Sequence, residues 1–476
     1  MEKTIAFCTL GCKVNQYETN AMIEQFIKKG YTIKDFNEKA DIYIINTCTV
    51  TNMADRKSRQ MLRKVKELNK NAIVVACGCY AQVAREELEK IEEVDLIFGT
   101  NEKNKIVDYI EEWNDKKSIV TDVMYQKEFL DFGTTDYTEK TRAVIKVQDG
   151  CDRFCTYCII PYARGHVRSR KQENVLEEIQ KLASKGIKEV VITGIHVASY
   201  GKDFKENIEL IDLLEKINEV EGIERIRLGS LEPTLITKEF VKRLTKLNKI
   251  CDHFHLSLQS GCNETLNRMN RRYTTEQFKE AAQILRKAYA NVALTTDIIV
   301  GFPGETETEF QTTYNFLKEI NFYQMHVFKY SQRKGTKAAV APNQIDGKIK
   351  EERSEKLIEL SNANERAYNK KFIGKEIEVL FEEREGKYIK GHTTNYMVVK
   401  IPYKPLENQL ANVKITDEEG NELIGSYNLR LAKFRKRYNV LYFLLNSFNS
   451  RVILKFGGID AINHRWLRSR CSNFKA

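Results

Sequence analysis

Short apolar runs alternate with helix-length amphipathic segments in the first part of the chain. The runs are KTIAFCTL, DIYIINTC, NAIVVACG and VDLIFG. An apolar run of four to eight residues is typical of a buried strand, and repeated strand–helix alternation favours a parallel sheet. Residues 1–116 are therefore predicted to form an α/β domain, an open parallel sheet with helices on both faces.

A second strand–helix series follows a charged, polar connector at 117–136. Between residues 137 and 370, helix-length spacers separate six apolar runs. These are AVIKVQ, EVVIT, RIRLGS, HFHLSLQ, ALTTDIIVG and FYQMHVFKYS. Six βα units in succession predict a curved parallel sheet, a partial (β/α)6 barrel whose chemistry lies at the carboxyl ends of its strands.

The end of the chain has a different pattern. After a charged helical segment, residues 371–434 contain short strand-like runs with glycine and polar turns, which predict a small β-barrel. Residues 435–476 combine an apolar run, VLYFLLNSF, with a basic end. That run is too short to cross a bilayer, and the pattern assigns this tail no function.

Composition narrows the class of protein. The 476 residues are 42% hydrophobic and 30% charged, as in ordinary soluble globular proteins. No signal peptide or membrane-length segment is found in the sequence, so we expect a cytoplasmic protein without a membrane partner. The net charge of +11 favours a polyanionic partner such as RNA.

Eleven cysteines in a reducing compartment favour metal binding over disulfides. The first three predicted strands run into Cys12, Cys48 and Cys79. Because the carboxyl ends of parallel strands meet at one sheet edge, these cysteines could converge there. Cys77 lies two residues before Cys79, so the sequence leaves open which of these two thiolates binds the metal. Five cysteines are predicted to be structural: Cys8, Cys77, Cys251, Cys262 and Cys471.

The strongest chemical signal is the C-x3-C-x2-C spacing of Cys151, Cys155 and Cys158. Three thiolates on one loop can hold three irons of a 4Fe-4S cluster and leave the fourth iron open. Zinc would normally require a fourth protein ligand, and His166 is the one histidine close in sequence. The spacing resembles the signature of the radical S-adenosylmethionine (SAM) superfamily.

That resemblance implies that the open iron binds SAM, which is cleaved to a 5'-deoxyadenosyl radical. It also implies a set of cofactor-binding residues on the cluster loop and at later strand ends: Tyr157, Thr193, Gly194, Ser230, Glu232, Gln259, Ile298 and Gly301. The alternatives are that Tyr157 merely packs against the loop and that the glycines are ordinary turn residues.

Three further motifs decide which radical enzyme the chain is similar to. Residues 9–19 (TLGCKVNQYET), 46–48 (NTC) and 78–82 (GCYAQ) resemble the cysteine motifs of the methylthiotransferase family. The resemblance covers Lys3 to Phe434. It implies that Cys12, Cys48 and Cys79 hold a second 4Fe-4S cluster, which carries the sulfur, and that the third domain is an RNA-binding barrel of the TRAM type.

Within the family, TLGCKVNQYET and the segment Ile159–Gly165 are most similar to the branch that acts on N6-threonylcarbamoyladenosine beside the tRNA anticodon. The implied partners are tRNA, an electron donor of the flavodoxin or ferredoxin type, and a sulfur source. The alternatives are action on isopentenyladenosine or on a ribosomal-protein aspartate. A non-catalytic iron-sulfur protein that binds RNA or senses redox state is the alternative of another class.

Two groups of basic residues have open interpretations. One is a predicted helix that either faces RNA or is simply solvated. Its basic residues are Arg56, Lys57, Arg59, Arg63 and Lys64. The other group, Arg164, Arg168 and Arg170, follows the cluster loop. These arginines contact either phosphate or cofactor, or they form salt bridges.

Overall fold

The computed structural model describes residues 3–115, 117–133 and 141–427. The predicted tail, Cys471 within it and the last residues of the predicted third domain lie outside these ranges. In the described ranges no helix has both the length and the apolar character needed to cross a membrane.

The first domain is a parallel sheet covered by helices. Its strands are β1 (Thr4–Thr9), β2 (Thr32–Lys34), β3 (Ile42–Thr47), β4 (Ile73–Gly78), β5 (Leu96–Phe98) and β6 (Lys117–Ile119). Its helices are α1 (Lys13–Lys28), α2 (Asn52–Leu68), α3 (Cys79–Val83), α4 (Arg85–Glu89) and α5 (Ile106–Glu111). The strand order is β2-β1-β3-β4-β5-β6, and every neighbouring pair is parallel.

Strand β3 shows why the apolar runs are continuous rather than alternating. All six of its residues are buried, because the sheet has an apolar core on each face. The pattern did not predict β2 and β6, which are edge strands of three residues and too short to show a period. Strand β6 extends this sheet beyond residue 116, into the segment predicted as a connector.

The second domain contains the six predicted strands and one short addition. Its strands are β7 (Arg142–Asp149), β8 (Arg168–Ser169), β9 (Glu189–Gly194), β10 (Arg225–Leu228), β11 (His253–His255), β12 (Ala293–Val300) and β13 (Gln324–Lys329). Its helices are α6 (Ile160–Arg164), α7 (Gln172–Ser184), α8 (Leu210–Asn218), α9 (Lys238–Leu244), α10 (Asn263–Arg268), α11 (Thr275–Ala288), α12 (Glu307–Ile320) and α13 (Gly347–Lys370). Six strands run parallel in the order β7-β9-β10-β11-β12-β13, with single bridges joining β10 to β11, and β8 pairs antiparallel to β7.

The two faces of this curved sheet differ in polarity. Phe254 of β11 and Leu294 of β12 pack into the large apolar core beneath the helices. His253 and His255 point the other way, since side chains alternate along a strand, and both contact Thr295 of β12 at 3.0 Å. A full barrel fills its interior with branched apolar side chains, whereas this interior is polar.

The third domain is a closed five-stranded β-barrel, as predicted. Its strands are β14 (Glu376–Glu385), β15 (Tyr388–Thr393), β16 (Val398–Pro402), β17 (Leu410–Glu419) and β18 (Glu422–Ser426), in the order β14-β15-β16-β18-β17. The turn after β15 is held against β10: Arg225 donates to the carbonyl of His392 at 2.9 Å, and Arg227 donates to that of Thr394 at 2.9 Å. This contact brings the barrel to the polar interior of the second domain.

Candidate functional site

The loop after β7 brings Cys151, Cys155 and Cys158 together. Burial and the neighbouring Cys155 raise the pKa of Cys151 to about 11 and that of Cys158 to about 12. The loop returns on itself at Gly150 (φ +74°), where a Cβ would lie 1.7 Å from the His166 carbonyl oxygen. Only glycine fits this close approach. Cys151 and Cys158 are therefore protonated in the metal-free protein, and a metal bound there would displace these protons.

A second trio, Cys12, Cys48 and Cys79, forms at the carboxyl edge of the first sheet. Cys12 is the N-cap of α1, Cys48 follows β3, and Cys79 begins α3. Burial, together with the neighbouring Cys79 and Cys12 thiols, raises the pKa of Cys48 to about 11. Cys77 instead packs in the apolar core on one face of the sheet. The geometry therefore favours Cys79 over Cys77 as the third member.

The spacing of the thiols helps to identify the metal. Three ligands of one tetrahedral zinc lie about 4 Å apart, given a Zn–S distance of about 2.3 Å. Over the described residues, the only set of three Cys, His, Asp or Glu ligand atoms all within 4.8 Å of one another is His255, Asp297 and His326. Neither cysteine trio is so compact. A 4Fe-4S cluster does not require such close thiolates, because iron and sulfide separate them.

In each trio, an arginine donates a hydrogen bond to one of the sulfur atoms. Arg164 donates from Nε to Cys79 Sγ at 3.3 Å, and Arg271 donates from Nη1 to Cys155 Sγ at 3.3 Å. Hydrogen bonds to the sulfurs are one of the means by which a protein tunes an iron-sulfur cluster. Sequence analysis missed Arg271, because it lies 116 positions from Cys155 and no motif links the two.

A buried carboxylate lies beside the first trio, Cys151, Cys155 and Cys158. Glu232 accepts a hydrogen bond from Arg153 of the cluster loop and pairs with His196 at 3.2 Å and Arg271 at 3.9 Å. Burial opposes ionisation, but these cationic neighbours outweigh it and lower the pKa of Glu232 to about 2. Glu232 is therefore ionised at neutral pH. Sequence analysis did not identify Arg153 or His196 as its partners.

The other predicted cofactor residues fall into two sets. Thr193 and Gly194 end β9, and a Cβ on the neighbouring Gly229 would lie 3.4 Å from Thr193 Oγ1. The rim of the site at Thr193, Gly194 and Gly229 is therefore narrow and formed largely by backbone atoms. Ser230 beside it is exposed.

The second set lies on the far strands and the cluster loop. Gln259 (φ +73°) is bridged to Ile298, whose side chain is fully buried in the apolar core, so only the backbone of Ile298 can face a ligand. Gly301 (φ +69°) lies against Lys350. Tyr157 packs edge-on against Phe302 with ring centroids 6.4 Å apart, which supports a packing role. Contact of Tyr157 with a cofactor stays a prediction.

A fully buried ionic network joins the first and second domains beside the trios. Glu18 of α1 accepts hydrogen bonds from Lys103 at 2.5 Å, from Lys146 of β7 at 2.7 Å, and from Arg164. Lys146 also donates to Asp149 at 2.5 Å. Buried charges persist only when they are paired, so this network fixes α1 over the second domain.

The network also decides the role of three arginines after the cluster loop. Arg164, Arg168 and Arg170 are at most 1% exposed. Arg168 pairs with Asp149 at 3.7 Å, and Arg170 pairs with Glu178. Burial and these ion pairs support the salt-bridge alternative and leave no exposed group for RNA phosphate, whereas contact of these arginines with a cofactor stays a prediction. Arginine suits buried pairing because its planar group donates several hydrogen bonds at once.

Helix α2 has a solvated basic face. Arg56, Lys57 and Arg63 are exposed, whereas Arg59 donates to the Tyr80 hydroxyl at 2.6 Å and Lys64 donates to Asn37 at 2.9 Å. A recess of about 800 Å³ opens beside this helix. Its lining includes Arg56, Arg59, Tyr162, Arg333 and Lys334. The face fits either a nucleic acid or solvent.

Comparisons with known proteins agree with this geometry. The Radical SAM superfamily matches residues 145–317, and the Uncharacterized protein family UPF0004 matches residues 4–99. The threonylcarbamoyladenosine tRNA methylthiotransferase MtaB of Bacillus subtilis (strain 168) is 42% identical over 86% of this chain and 92% of its own length. MtaB of Aquifex aeolicus (strain VF5) is 43% identical over 83% of this chain and 96% of its own.

A relative named for another activity is somewhat less similar. A tRNA-2-methylthio-N(6)-dimethylallyladenosine synthase of Thermoanaerobacter sp. (strain X514) is 38% identical over 88% of this chain and 91% of its own length. Among solved structures, the radical SAM methyltransferase TsrM of Kitasatospora setae, with cobalamin and a [4Fe-4S] cluster, matches with a TM-score of 0.54 at 15% identity. This match covers 71% of this chain and 77% of that one, and it concerns the fold alone.

The radical SAM domain implies a 4Fe-4S cluster and SAM, and the donors at the carboxyl end of β7 fit that group. The two MtaB relatives are more than 40% identical over more than four-fifths of the chain. The chain therefore belongs to the radical SAM methylthiotransferase family, whose members are enzymes that transfer a methylthio group.

Proposed function

We propose that this enzyme converts N6-threonylcarbamoyladenosine beside the tRNA anticodon to its 2-methylthio derivative. The observation that carries the proposal is the pair of cysteine trios, held by one buried ionic network across two domains. The MtaB relatives, named for this substrate, support it at 42% and 43% identity.

Cys151, Cys155 and Cys158 would hold the cluster that binds SAM, and Cys12, Cys48 and Cys79 would hold a second 4Fe-4S cluster. Bound there, the two clusters and SAM would supply the radical and the sulfur. The predicted SAM contacts at the strand ends include ionised Glu232 and the narrow rim at Thr193 and Gly194. A bare backbone allows a cofactor to approach closely.

The protein itself would orient the substrate and exclude water. Arg164 ties Cys79 to Glu18 and thereby sets the position of one trio relative to the second domain. Because Glu18, Lys146 and Arg164 are all fully buried, this boundary is closed to bulk solvent. Excluding water protects a reactive radical from side reactions.

The third domain would bind tRNA as a barrel of the TRAM type. Its contact with β10 places it beside the polar interior of the second domain. Exposed Arg56, Lys57 and Arg63 of α2 offer a further surface for RNA phosphates. We also propose an electron donor of the flavodoxin or ferredoxin type and a separate sulfur source as partners.

Nucleoside analysis of tRNA from cells lacking the gene tests the substrate. We expect complete loss of 2-methylthio-N6-threonylcarbamoyladenosine, restored by the wild-type gene and not by Cys155→Ala. Cys251→Ala is the matched control, since Cys251 is buried away from both trios, beside Arg227. An unchanged nucleoside profile, in a strain without a redundant enzyme, would contradict the tRNA assignment and favour a protein substrate.

A further inference from the structure

The polar interior of the second domain contains a buried histidine nitrogen that lacks a partner. His253 Nδ1 is buried and, within the described ranges, makes no hydrogen bond. His255 is 9% exposed and lies near His326, with ring centroids 5.8 Å apart, and near Asp297 at 3.3 Å. Leaving a buried polar atom unpaired costs stability. These side chains are therefore arranged as a ligand site would be.

Helix α1 brings a lysine to this interior. Lys13 follows Cys12 directly and is the first residue of α1. One turn further along, α1 packs against the second domain. There the Tyr17 hydroxyl donates to Glu178 at 3.2 Å, and Glu18 accepts a hydrogen bond from Lys146. Residues four apart share a helix face, so Lys13 points in the same direction as Tyr17.

Among the described residues, no carboxylate forms an ion pair with the amino group of Lys13. Its side chain is exposed and therefore open to a ligand. In the described part of the chain Lys13 makes no hydrogen bond or ion pair. The nearby arginines are already paired: Arg227 with Glu189 at 2.7 Å, and Arg142 with Glu382 at 3.1 Å.

The electrostatic field at this place suits an anion. Tyr396, from the turn after β15, stacks on His253 at 4.7 Å and lies under Arg227 at 4.8 Å. Burial alone raises the pKa of a phenol, but Arg142, Lys13 and Arg227 outweigh burial and lower the pKa of Tyr396.

The substituent on the proposed substrate is such an anion. An N6-threonylcarbamoyl group carries a carboxylate, whereas a dimethylallyl group is an uncharged hydrocarbon. We infer that Lys13 binds the carboxylate of the threonylcarbamoyl group in the interior of the second domain and thereby selects this substrate over an uncharged one. This inference rests on the proposed function. A site built to bond a polar group strongly rejects an analogue that lacks it.

The inference is tested with three anticodon stem-loop RNAs that carry N6-threonylcarbamoyladenosine, its methyl ester, or dimethylallyladenosine. The enzyme is the full chain with its clusters, and the measurement is kcat/KM for each RNA. We expect the wild type to prefer the acid over the ester on the order of 10- to 100-fold, the range of a charged hydrogen bond. Lys13→Gln should bring that ratio near one, and Lys13→Arg should retain most of it.

The acid-to-ester ratio is insensitive to poor cluster loading, because loading scales both rates equally. If Lys13→Gln is inactive, the acid-to-ester ratio is taken instead from the dissociation constants of the two RNAs, measured without SAM. Lys318→Gln, an exposed lysine of α12, is the charge-matched control and should keep the wild-type ratio.

A wild-type ratio in Lys13→Gln, or equal use of acid and ester by the wild type, would overturn the inference and leave the proposed function intact. A wild type that modifies none of the threonylcarbamoyl RNA would refute the proposed function itself.

Discussion

Replacing Cys155 with alanine abolishes both 5'-deoxyadenosine formation and methylthio transfer, whereas Cys79→Ala abolishes transfer and leaves 5'-deoxyadenosine formation. This is the expected result because the trios lie on separate loops, one beside Glu232 at the strand ends and one at the edge of the first sheet. Each variant should lose roughly half of the bound iron, since a three-thiolate site does not hold its cluster with two.

The measurement is iron content together with product analysis by mass spectrometry after incubation with SAM and substrate RNA. Cys77→Ala is the matched control for Cys79→Ala: it lies two residues away, but its thiol is in the apolar core. Cys77→Ala should keep its iron. If Cys77→Ala loses as much iron as Cys79→Ala, the assignment of Cys79 as the ligand is incorrect.

Glu18→Gln lowers the free energy of unfolding by about 3–5 kcal/mol, the cost of leaving buried charges without their partner. Burial raises the pKa of Glu18, but Arg164, Lys103 and Lys146 outweigh burial and hold it well below its usual value. A carboxylate with a lowered pKa contributes its stability at neutral pH and loses it only as the pH falls through that pKa. The full effect is therefore expected at pH 7.

Urea unfolding followed by circular dichroism, on proteins prepared without clusters, measures this difference. Glu319→Gln is the control, since its pair with Lys279 is on the surface and should contribute less than about 1 kcal/mol. Equal midpoints for Glu18→Gln and Glu319→Gln would show that the network does not hold the two domains together.

The sequence predicted those parts of the site that a short stretch of the chain reveals by itself. Cys151, Cys155 and Cys158 lie on one loop, so their spacing is visible without a structure. Cys12, Cys48 and Cys79 are distant, but each follows a strand, and parallel strands bring their ends together. The closed barrel of the third domain was likewise predicted from its short strands and turns.

Contacts between distant residues were not predictable in this way. Glu18 and Lys146 are 128 positions apart, and each looks like an ordinary surface charge in an amphipathic pattern. The salt bridges of Arg164 had been an open alternative, which only burial could decide. Lys13 was part of a recognised motif, but its position in the polar interior depends on how three domains pack.

The most direct test of the central claim is conversion of a stem-loop RNA by the purified, cluster-reconstituted enzyme with SAM and a reductant. The RNA carries N6-threonylcarbamoyladenosine with deuterium at C2, and mass spectrometry follows both products. We expect the 2-methylthio nucleoside with loss of deuterium from C2, and deuterium in 5'-deoxyadenosine. Unlabelled 5'-deoxyadenosine and an RNA that keeps its deuterium would contradict it.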